Sequence, residues 1–424
     1  MTSASLATPP DRTKPQLGRK FTMLWSASSI SAVGDGMRDS SLPLLALAIS
    51  DSPSAVSVVA VAGSLPWLLM SLFGGVIADR FDRRRLMWTI DLGRAAIVLG
   101  FAACVFSTTP PLALLAALAF ILGCGETVFV NAATSAIPDV VSSDRLDVAN
   151  GRLQGGLLVG RMIGPLVGTT LFAVAAGYPF TVDGLSFALA AALVAATGRS
   201  GAPRAKSERR IMTEVREGVR WLYGHKQLRL VASLSAVAAG ASSLGITMMA
   251  LLVTRTLHEP TWAFGAVLAT GVAGGTAASM LAGRIGERMG RRARITLSFV
   301  LMGSALLLMG LSPSVFLVAP LFALGNFGVV IWNVQAISLR QQTVPKELLG
   351  RVNSCYLMLM RIGMLIGASL SGWIGSTVSV RTPIIIAGSL ILAALVVIPR
   401  MGDLEPAPAP AAAADEQSVE QPAG

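Results

Sequence analysis

Long apolar runs separated by short polar connections set the pattern of this chain. Each run holds roughly twenty residues, which in an α-helix is enough to cross about 30 Å of hydrocarbon. The pattern predicts twelve membrane-spanning helices. The predicted spans lie near residues 21–49, 54–78, 86–107, 112–136, 152–174, 178–198, 229–253, 261–282, 294–311, 314–338, 352–376 and 381–399.

The basic residues test this count independently. Every second connection is rich in Arg and Lys, whereas the connections between them hold only Arg255 and Arg381. Basic loops stay in the cytoplasm by the positive-inside rule. A missed or an extra helix would invert the alternation from that point onward. The charges therefore favour twelve spans in a cell (plasma or inner) membrane, with both termini in the cytoplasm.

Composition supports a membrane protein and argues against several other classes. Hydrophobic residues make up 53% of the chain and charged residues 13%, and the mean hydropathy is +0.66. The net charge of +11 would suggest a nucleic-acid partner if the arginines shared one soluble face. They fall in short loops instead, so none is expected. The three cysteines lie in apolar runs without metal-ligand spacing, so neither a metal nor a cofactor is expected.

Two sequence features recur in the second half of the chain. A charged loop at Gly75–Arg84 returns as Gly283–Arg292, and both copies read Gly, three residues, an acid, Arg, one residue, a turn-forming residue and two basic residues. The fifth and eleventh spans also align at one constant offset, which pairs Gly151, Gly164 and Gly168 with Gly350, Gly363 and Gly367. These repeats predict an all-α integral membrane fold of two pseudo-symmetric six-helix bundles.

The longest connection divides the chain into these bundles. The predicted organisation is a cytoplasmic tail at 1–20, a bundle at 21–198, a linker at 199–228, a second bundle at 229–400 and a disordered tail at 401–424. In the linker, apolar residues recur at helical spacing beside several arginines. This pattern predicts an amphipathic helix on the cytoplasmic leaflet. A solvated linker helix fits the pattern equally well.

The loop after the second span resembles the signature of major facilitator superfamily transporters, and the resemblance extends over nearly the whole chain. The matching positions are Gly75, Asp79, Arg80, Arg83 and Arg84. Asp82 departs from the signature, which usually has Gly there, but an Asp side chain can itself support a turn. The resemblance implies a transporter whose loop latches the cytoplasmic gate. Asp79 would then face the N-terminus of the eleventh helix, and Arg83 would reach an acid after the fourth, for which Asp139 is the candidate.

The fifth span carries a glycine pattern that bears on direction of transport. It consists of Gly151, Gly160, Gly164, Pro165 and Gly168. Small residues at one-turn spacing let two helices approach closely, and proline bends a helix. The pattern resembles the motif of the superfamily's antiporters, mainly drug and metabolite exporters, with Thr169 in place of a final Gly. An ordinary packing face is the alternative. Short segments such as Gly34-Asp35-Gly36 are similar to those of macrolide efflux and enterobactin export proteins, which favours the exporter branch.

Charged residues inside the spans are the candidates for coupling, because a charge at mid-bilayer costs about 2.5–3.5 kcal/mol on insertion scales. Asp35, Arg38 and Asp39 lie together in the first span, where the two acids share a helix face. They predict either an exchangeable proton or a static ion pair. Glu126 has no basic neighbour in its own span, so it either carries a proton or pairs with another helix, where Arg161 in the fifth span is the expected partner.

Two further charged groups have structural interpretations. Asp91 and Arg94 are three residues apart, as a structural ion pair would be, and Asp183 is expected to be a helix-end or packing acid near the outer surface. For substrate contact the candidates are Met248, Met249, Trp332 and Asn333, since thioethers and an indole suit variable apolar ligands. Packing or lipid-facing roles are the alternative for each of them.

Together these features predict a proton-coupled antiporter that exports hydrophobic or amphipathic small molecules by alternating access. Its partners would be the substrate, protons and the lipid bilayer, and a monomer is expected. An importer or a lysophospholipid flippase on the same fold is the alternative. A membrane-embedded enzyme would need a nucleophile–base set, metal ligands or a nucleotide-binding loop, and the sequence has none of these patterns.

Overall fold

The computed structural model describes residues 17–80, 82–137, 140–142, 145–198 and 211–401, and the described part of the chain is helical without a β-strand. Residues 1–16 and 402–424, which make up most of the two predicted tails at 1–20 and 401–424, lie outside the described residues, as does the linker stretch 199–210. The helices are α1 (Gly18–Ile49), α2 (Pro53–Arg80), α3 (Arg83–Ser107), α4 (Leu112–Ala136), α5 (Leu146–Val174), α6 (Tyr178–Ala195), α7 (Ile211–Gly224), α8 (Lys226–Ile246), α9 (Met249–Leu251), α10 (Thr261–Arg288), α11 (Arg291–Leu311), α12 (Val315–Thr343), α13 (Lys346–Thr377) and α14 (Arg381–Ala393).

The predicted spans coincide with these helices, and the all-α membrane fold class is confirmed. Among the described residues, ten helices are long and apolar enough to cross a membrane. The remaining two predicted spans are α1, which contains Asp35, Arg38 and Asp39, and the apolar stretch Arg381–Val396, which is shorter. The span after the linker is α8 with α9 and a π-helical turn, Leu252–Thr256.

The chain forms two compact units. The first consists of Met1–Leu42 and Leu69–Ser207, and the second consists of Pro43–Leu68 and Glu208–Gly424. The hairpin between Pro43 and Leu68 thus packs in the second unit although it precedes the linker. Pro43 and Pro66 lie inside α1 and α2 close to the two changes of unit, where a proline weakens the helix by removing a hydrogen bond.

Glycines set the packing of α5 on α1 in the first unit. A Cβ added to Gly164 would lie 2.7 Å from the Val33 carbonyl oxygen, and one added to Gly36 would lie 2.9 Å from the Gly160 carbonyl oxygen. The backbones therefore meet directly, as the glycine pattern of the fifth span predicts. Gly151 differs, since nothing lies within 4 Å of a Cβ placed there.

The second unit repeats this packing between α13 and α8. Side chains at Gly363 and Gly367 would collide with the backbone at Ala236 and Gly240. One turn further, the Ser371 hydroxyl donates to the Leu244 carbonyl at 2.6 Å. The aligned glycines of the fifth and eleventh spans thus occupy the same structural position, which supports the internal duplication.

The linker helix α7 docks on α13. Gly218 leaves room for the Arg351 backbone and the Cys355 sulfur, Glu217 forms an ion pair with Arg351, and Leu222 is fully buried. The position of α7 is therefore set by contacts with α13 in addition to its amphipathic pattern.

We expect the substitution Gly164→Ala to destabilise the protein, because the new methyl group would press on the α1 backbone and overpacking costs about 1–3 kcal/mol. The matched control Gly151→Ala, on the same helix, has open space and a better helix former. The thermal unfolding midpoint of each purified variant in detergent is the measurement. Equal midpoints for the two variants would contradict the packing described for α5 and α1.

Candidate functional site

A cluster of charged side chains lies inside the first unit, where four helices contribute to it. We call Asp35, Arg38, Asp39, Asp91, Arg94, Glu126 and Asp183 the charge cluster. The first three come from α1, the next two from α3, and the last two from α4 and α6. Residues that are distant in sequence therefore share one polar site inside the first unit.

Arg38 lies at the centre of the charge cluster, and its side chain is only 3% exposed. Its Nη1 lies 2.6 Å from Asp35 Oδ1 and 3.5 Å from Asp183 Oδ2. Its Nη2 lies 2.9 Å from Asp39 Oδ1 and 3.6 Å from Glu126 Oε2. One guanidinium thus serves four carboxylates. Its planar fork of five donors allows this, whereas a lysine ammonium offers three donors from one point.

Arg94 links Asp35 to a second acid. Its Nη2 lies 2.5 Å from Asp35 Oδ1, and its Nη1 lies 3.4 Å from Asp91 Oδ1. The guanidinium also stacks 3.8 Å from the centre of the Phe187 ring. The predicted pair of Asp91 and Arg94 is present, but it belongs to the charge cluster because Asp35 joins the two arginines.

Small residues let these helices meet. A Cβ at Gly34 would lie 2.5 Å from Asp183 Oδ1, so α6 can place its acid against α1 only because position 34 is a glycine. A Cβ at Gly125 would lie 3.0 Å from Arg94 Cδ. The Gly34-Asp35-Gly36 segment therefore supplies an acid and the two close contacts, with α6 and α5, that surround it.

The acids of the charge cluster differ in the exposed fraction of their side chains. The side chains of Asp91 and Asp183 are completely buried, those of Asp35 and Glu126 are 16% and 24% exposed, and that of Asp39 is 61% exposed. Asp91 Oδ2 and Asp183 Oδ1 have no hydrogen-bond partner within the described structure. The charge cluster thus runs from an accessible end at Asp39 to a closed end at Asp91 and Asp183.

Two sequence-based expectations for this site were wrong. Arg161 is exposed and forms no ion pair with any residue that the structure describes, because Glu126 faces Arg38 on α1 instead. Asp183 was expected to be a helix-end or packing acid, and the helix-end alternative is wrong, because Asp183 is buried and contacts Arg38 in the charge cluster. One signal in the sequence pointed to these contacts. An acid inside the membrane needs a partner, and Arg38 in the first span was a candidate partner for both Glu126 and Asp183.

The duplicated loop has a similar arrangement in each unit. Asp82 caps α3 by accepting a hydrogen bond from the Arg85 backbone N–H at 2.8 Å. Arg83 donates to the Ser135 carbonyl at the end of α4 at 2.7 Å. In the second copy Gly290 is the N-cap of α11, and Arg291 donates to the Gln342 side chain at 2.6 Å near the end of α12.

Parts of the predicted gate lie beyond this description. Gly75, Asp79 and Arg80 belong to α2, but their side chains are outside the described residues, as is the whole of Asp139. Arg84, the other basic residue of the signature, donates to the Thr197 carbonyl after α6 at 2.9 Å. Arg83 therefore reaches the end of α4, as expected, and its predicted pairing with Asp139 stays a prediction.

Three of the four substrate-contact candidates are packing residues in this structure. Met248 and Met249 are fully buried. Trp332 is also buried, donates from Nε1 to the Ser235 hydroxyl at 3.1 Å and packs edge-on to Phe299. Asn333 is half-buried and stays a candidate. The structure thus favours the packing alternative for the other three.

Comparisons with known proteins agree with this architecture. A family described as transmembrane secretion effector, within the major facilitator superfamily, matches residues 13–422. Macrolide efflux protein A of Streptococcus pyogenes is 23% identical over 91% of this chain and 96% of its own length. Multidrug efflux pump Tap of Mycobacterium bovis is 27% identical over 72% of both chains. A mutant of the nucleoside transporter NupG has a TM-score of 0.79 and 12% identity over 90% of this chain and 100% of its own. The chain belongs to the transmembrane secretion effector family of the major facilitator superfamily, a family of multi-pass membrane transporters and not of enzymes.

Proposed function

We propose that this transporter is a proton-coupled antiporter that exports hydrophobic or amphipathic small molecules by alternating access. Its similarity to a macrolide efflux protein and to a multidrug efflux pump supports export and an apolar cargo. The tight contact of α5 with α1 through the glycines of the antiporter-like motif is consistent with this direction. It acts as a monomer with both termini in the cytoplasm.

The observation that carries proton coupling is the charge imbalance of the charge cluster. Five carboxylates meet two guanidiniums, which leaves a formal excess of three negative charges if every acid is ionised. Taking an unpaired ion out of water costs on the order of several kcal/mol. Bound protons remove that cost without rearranging the helices. The charge cluster is therefore suited to hold protons that can be exchanged.

Asp35 is the residue through which a proton can act on both arginines. Its Oδ1 accepts from Arg38 and from Arg94, so protonating this carboxylate weakens two ion pairs at once. Glu126 and Asp39 are more exposed and provide the route by which a proton arrives and leaves. Protons enter from outside and are released to the cytoplasm. Inward movement of one charge is worth roughly 2.3 kcal/mol per 100 mV.

The duplicated loop provides the cytoplasmic gate in this proposal. Arg83 and Arg291 hold the ends of α4 and α12 in their own units through the hydrogen bonds described above. Asp79 and Asp139 complete the first copy, as the superfamily signature implies. The gate and the charge cluster are joined by α3, which begins beside Arg83 and carries Asp91 and Arg94.

We expect the substitutions Asp35→Asn and Glu126→Gln to abolish efflux driven by a proton gradient, because each removes a carboxylate that exchanges a proton. The control Glu259→Gln changes an acid in the loop after α9 and should retain efflux. The measurement is the uptake of a fluorescent dye such as ethidium into inverted vesicles, with and without an imposed pH gradient. Full gradient-driven transport by the double variant Asp35→Asn/Glu126→Gln would contradict the proton-coupling proposal. Counterflow in oriented vesicles would distinguish export from import.

Removal of the central arginine should strongly reduce stability. Arg38→Gln leaves four acids facing one another without their shared cation, and loss of one partner from a buried ion pair costs about 3–5 kcal/mol. Arg161→Gln is the matched control, since this arginine lies in a membrane span of the same unit and is exposed; it should change stability by less than about 0.5 kcal/mol. Thermal unfolding in detergent distinguishes the two variants.

The pH dependence of the Arg38→Gln variant gives a further check. Without the guanidinium, the folded state must bind more protons than the unfolded state, so its stability should rise as the pH falls. The variant should therefore recover part of its lost stability in mildly acidic buffer. A loss of stability that is the same at every pH would argue that Arg38 acts through packing alone.

A further inference from the structure

The second unit contains one buried cation whose environment differs from that of its other arginines. Arg340 is in the last turn of α12 and is 6% exposed. Its Nη1 has no hydrogen-bond partner in the described structure, and no ion pair joins the side chain to any described residue. By contrast, Arg255 pairs with Asp51 at 2.5 Å, and Arg381 donates to the Gly310 and Ser312 carbonyls at 2.9 and 2.6 Å.

The direction of the Arg340 side chain makes this burial informative. An arginine at the end of a membrane helix usually extends its charged group outward to water or headgroups. The guanidinium of Arg340 instead contacts a ring on the neighbouring helix α13. It lies 3.5 Å from the centre of the Tyr356 ring, about three turns into α13. The charge is held inside the unit although the helix end is close.

The Tyr356 ring beside this guanidinium belongs to a hydrogen-bonded group of buried side chains. The Tyr356 hydroxyl donates to the Ser235 hydroxyl at 2.7 Å, and Trp332 donates to the same oxygen at 3.1 Å. The Trp332 ring packs edge-on against Phe299, with centroids 4.9 Å apart. The tyrosine hydroxyl is thus already engaged, and a ring face is the only partner that the described residues offer the cation.

We propose that Arg340 is an anion-binding subsite that receives the acidic group of an amphipathic cargo, a carboxylate beside an apolar or aromatic body. A planar guanidinium binds a carboxylate through two parallel hydrogen bonds, and the Tyr356 ring face that the guanidinium now covers suits the apolar body. Because Nη1 is covered in this structure, the incoming acid draws the guanidinium off the tyrosine ring. This site would define a class of cargo for the proposed exporter, and that role rests on the proposed function.

The test is direct binding by the purified full-length protein in a neutral detergent. The probes are 1-pyrenebutyrate and its methyl ester, which share one fluorescent apolar body and differ in charge. The proteins are the wild type, Arg340→Gln, Arg340→Lys and the control Arg220→Gln, which removes an exposed cation from α7 of the same unit. Fluorescence anisotropy gives the Kd of each protein for each probe.

We expect the wild type and Arg220→Gln to bind the acid at least tenfold more tightly than the ester. Arg340→Lys should keep part of this preference, and Arg340→Gln should lose it while binding the ester as before. Equal wild-type affinities for acid and ester would overturn the proposal without any variant, as would a preference that persists in Arg340→Gln. Inorganic phosphate and phosphatidylglycerol micelles are then added as competitors of pyrenebutyrate. They show whether the site prefers a free anion or a lipid headgroup. Tight lipid binding without pyrenebutyrate binding would assign Arg340 to a headgroup and refute the cargo site.

The binding assay uses no proton gradient, so this inference and the proposed function can fail separately. A protein that prefers the acid but shows no gradient-driven transport would retain the anion subsite and lose proton-coupled export. A protein that transports under a gradient but binds acid and ester alike would retain export and lose the anion subsite.

Discussion

The high cost of a charge in hydrocarbon is the constraint on which the rest of this structure depends. The first unit meets it by gathering its intramembrane acids around Arg38 and Arg94 rather than leaving each to its own helix. A guanidinium that contacts four carboxylates offsets much of their desolvation. The excess of acids remains, and in the proposed mechanism bound protons neutralise it.

Close backbone contact is what makes such a charge cluster geometrically possible. Gly34 admits Asp183 from α6, and Gly36 meets Gly160 and Gly164 of α5. With larger side chains at these positions α1 would stand away from both neighbours, and the ion pairs could not form at their present distances. The glycine pattern of α5 therefore bears on the charge cluster indirectly, by fixing α1 between its neighbours.

Much of this fold could be predicted from sequence because the signals are periodic or repeated. Apolar runs located the helices, and the repeated glycines correctly predicted that α5 packs closely. The sequence did not give the rotation of each helix about its own axis, which decides the neighbour that each side chain faces. The sequence placed Glu126 and Arg161 at membrane depth but could not show that α4 turns its acid toward Arg38. For the same reason the sequence could not choose between a helix-end and a packing role for Asp183, and Met248 could not be recognised as fully buried.

The duplicated scaffold carries opposite charges in its two halves. Packing of α13 on α8 repeats that of α5 on α1, yet the membrane spans of the second unit contain no acid comparable to Asp35. Among the described residues of that unit, the buried charge is the cation Arg340. Duplication preserved the backbone contacts because they determine how the helices pack, whereas the polar residues they surround were free to diverge. In the proposed mechanism, the acids of the first half carry the protons and the buried cation of the second half binds the acidic group of the cargo. One fold then divides the driving ion and the cargo between its two repeats.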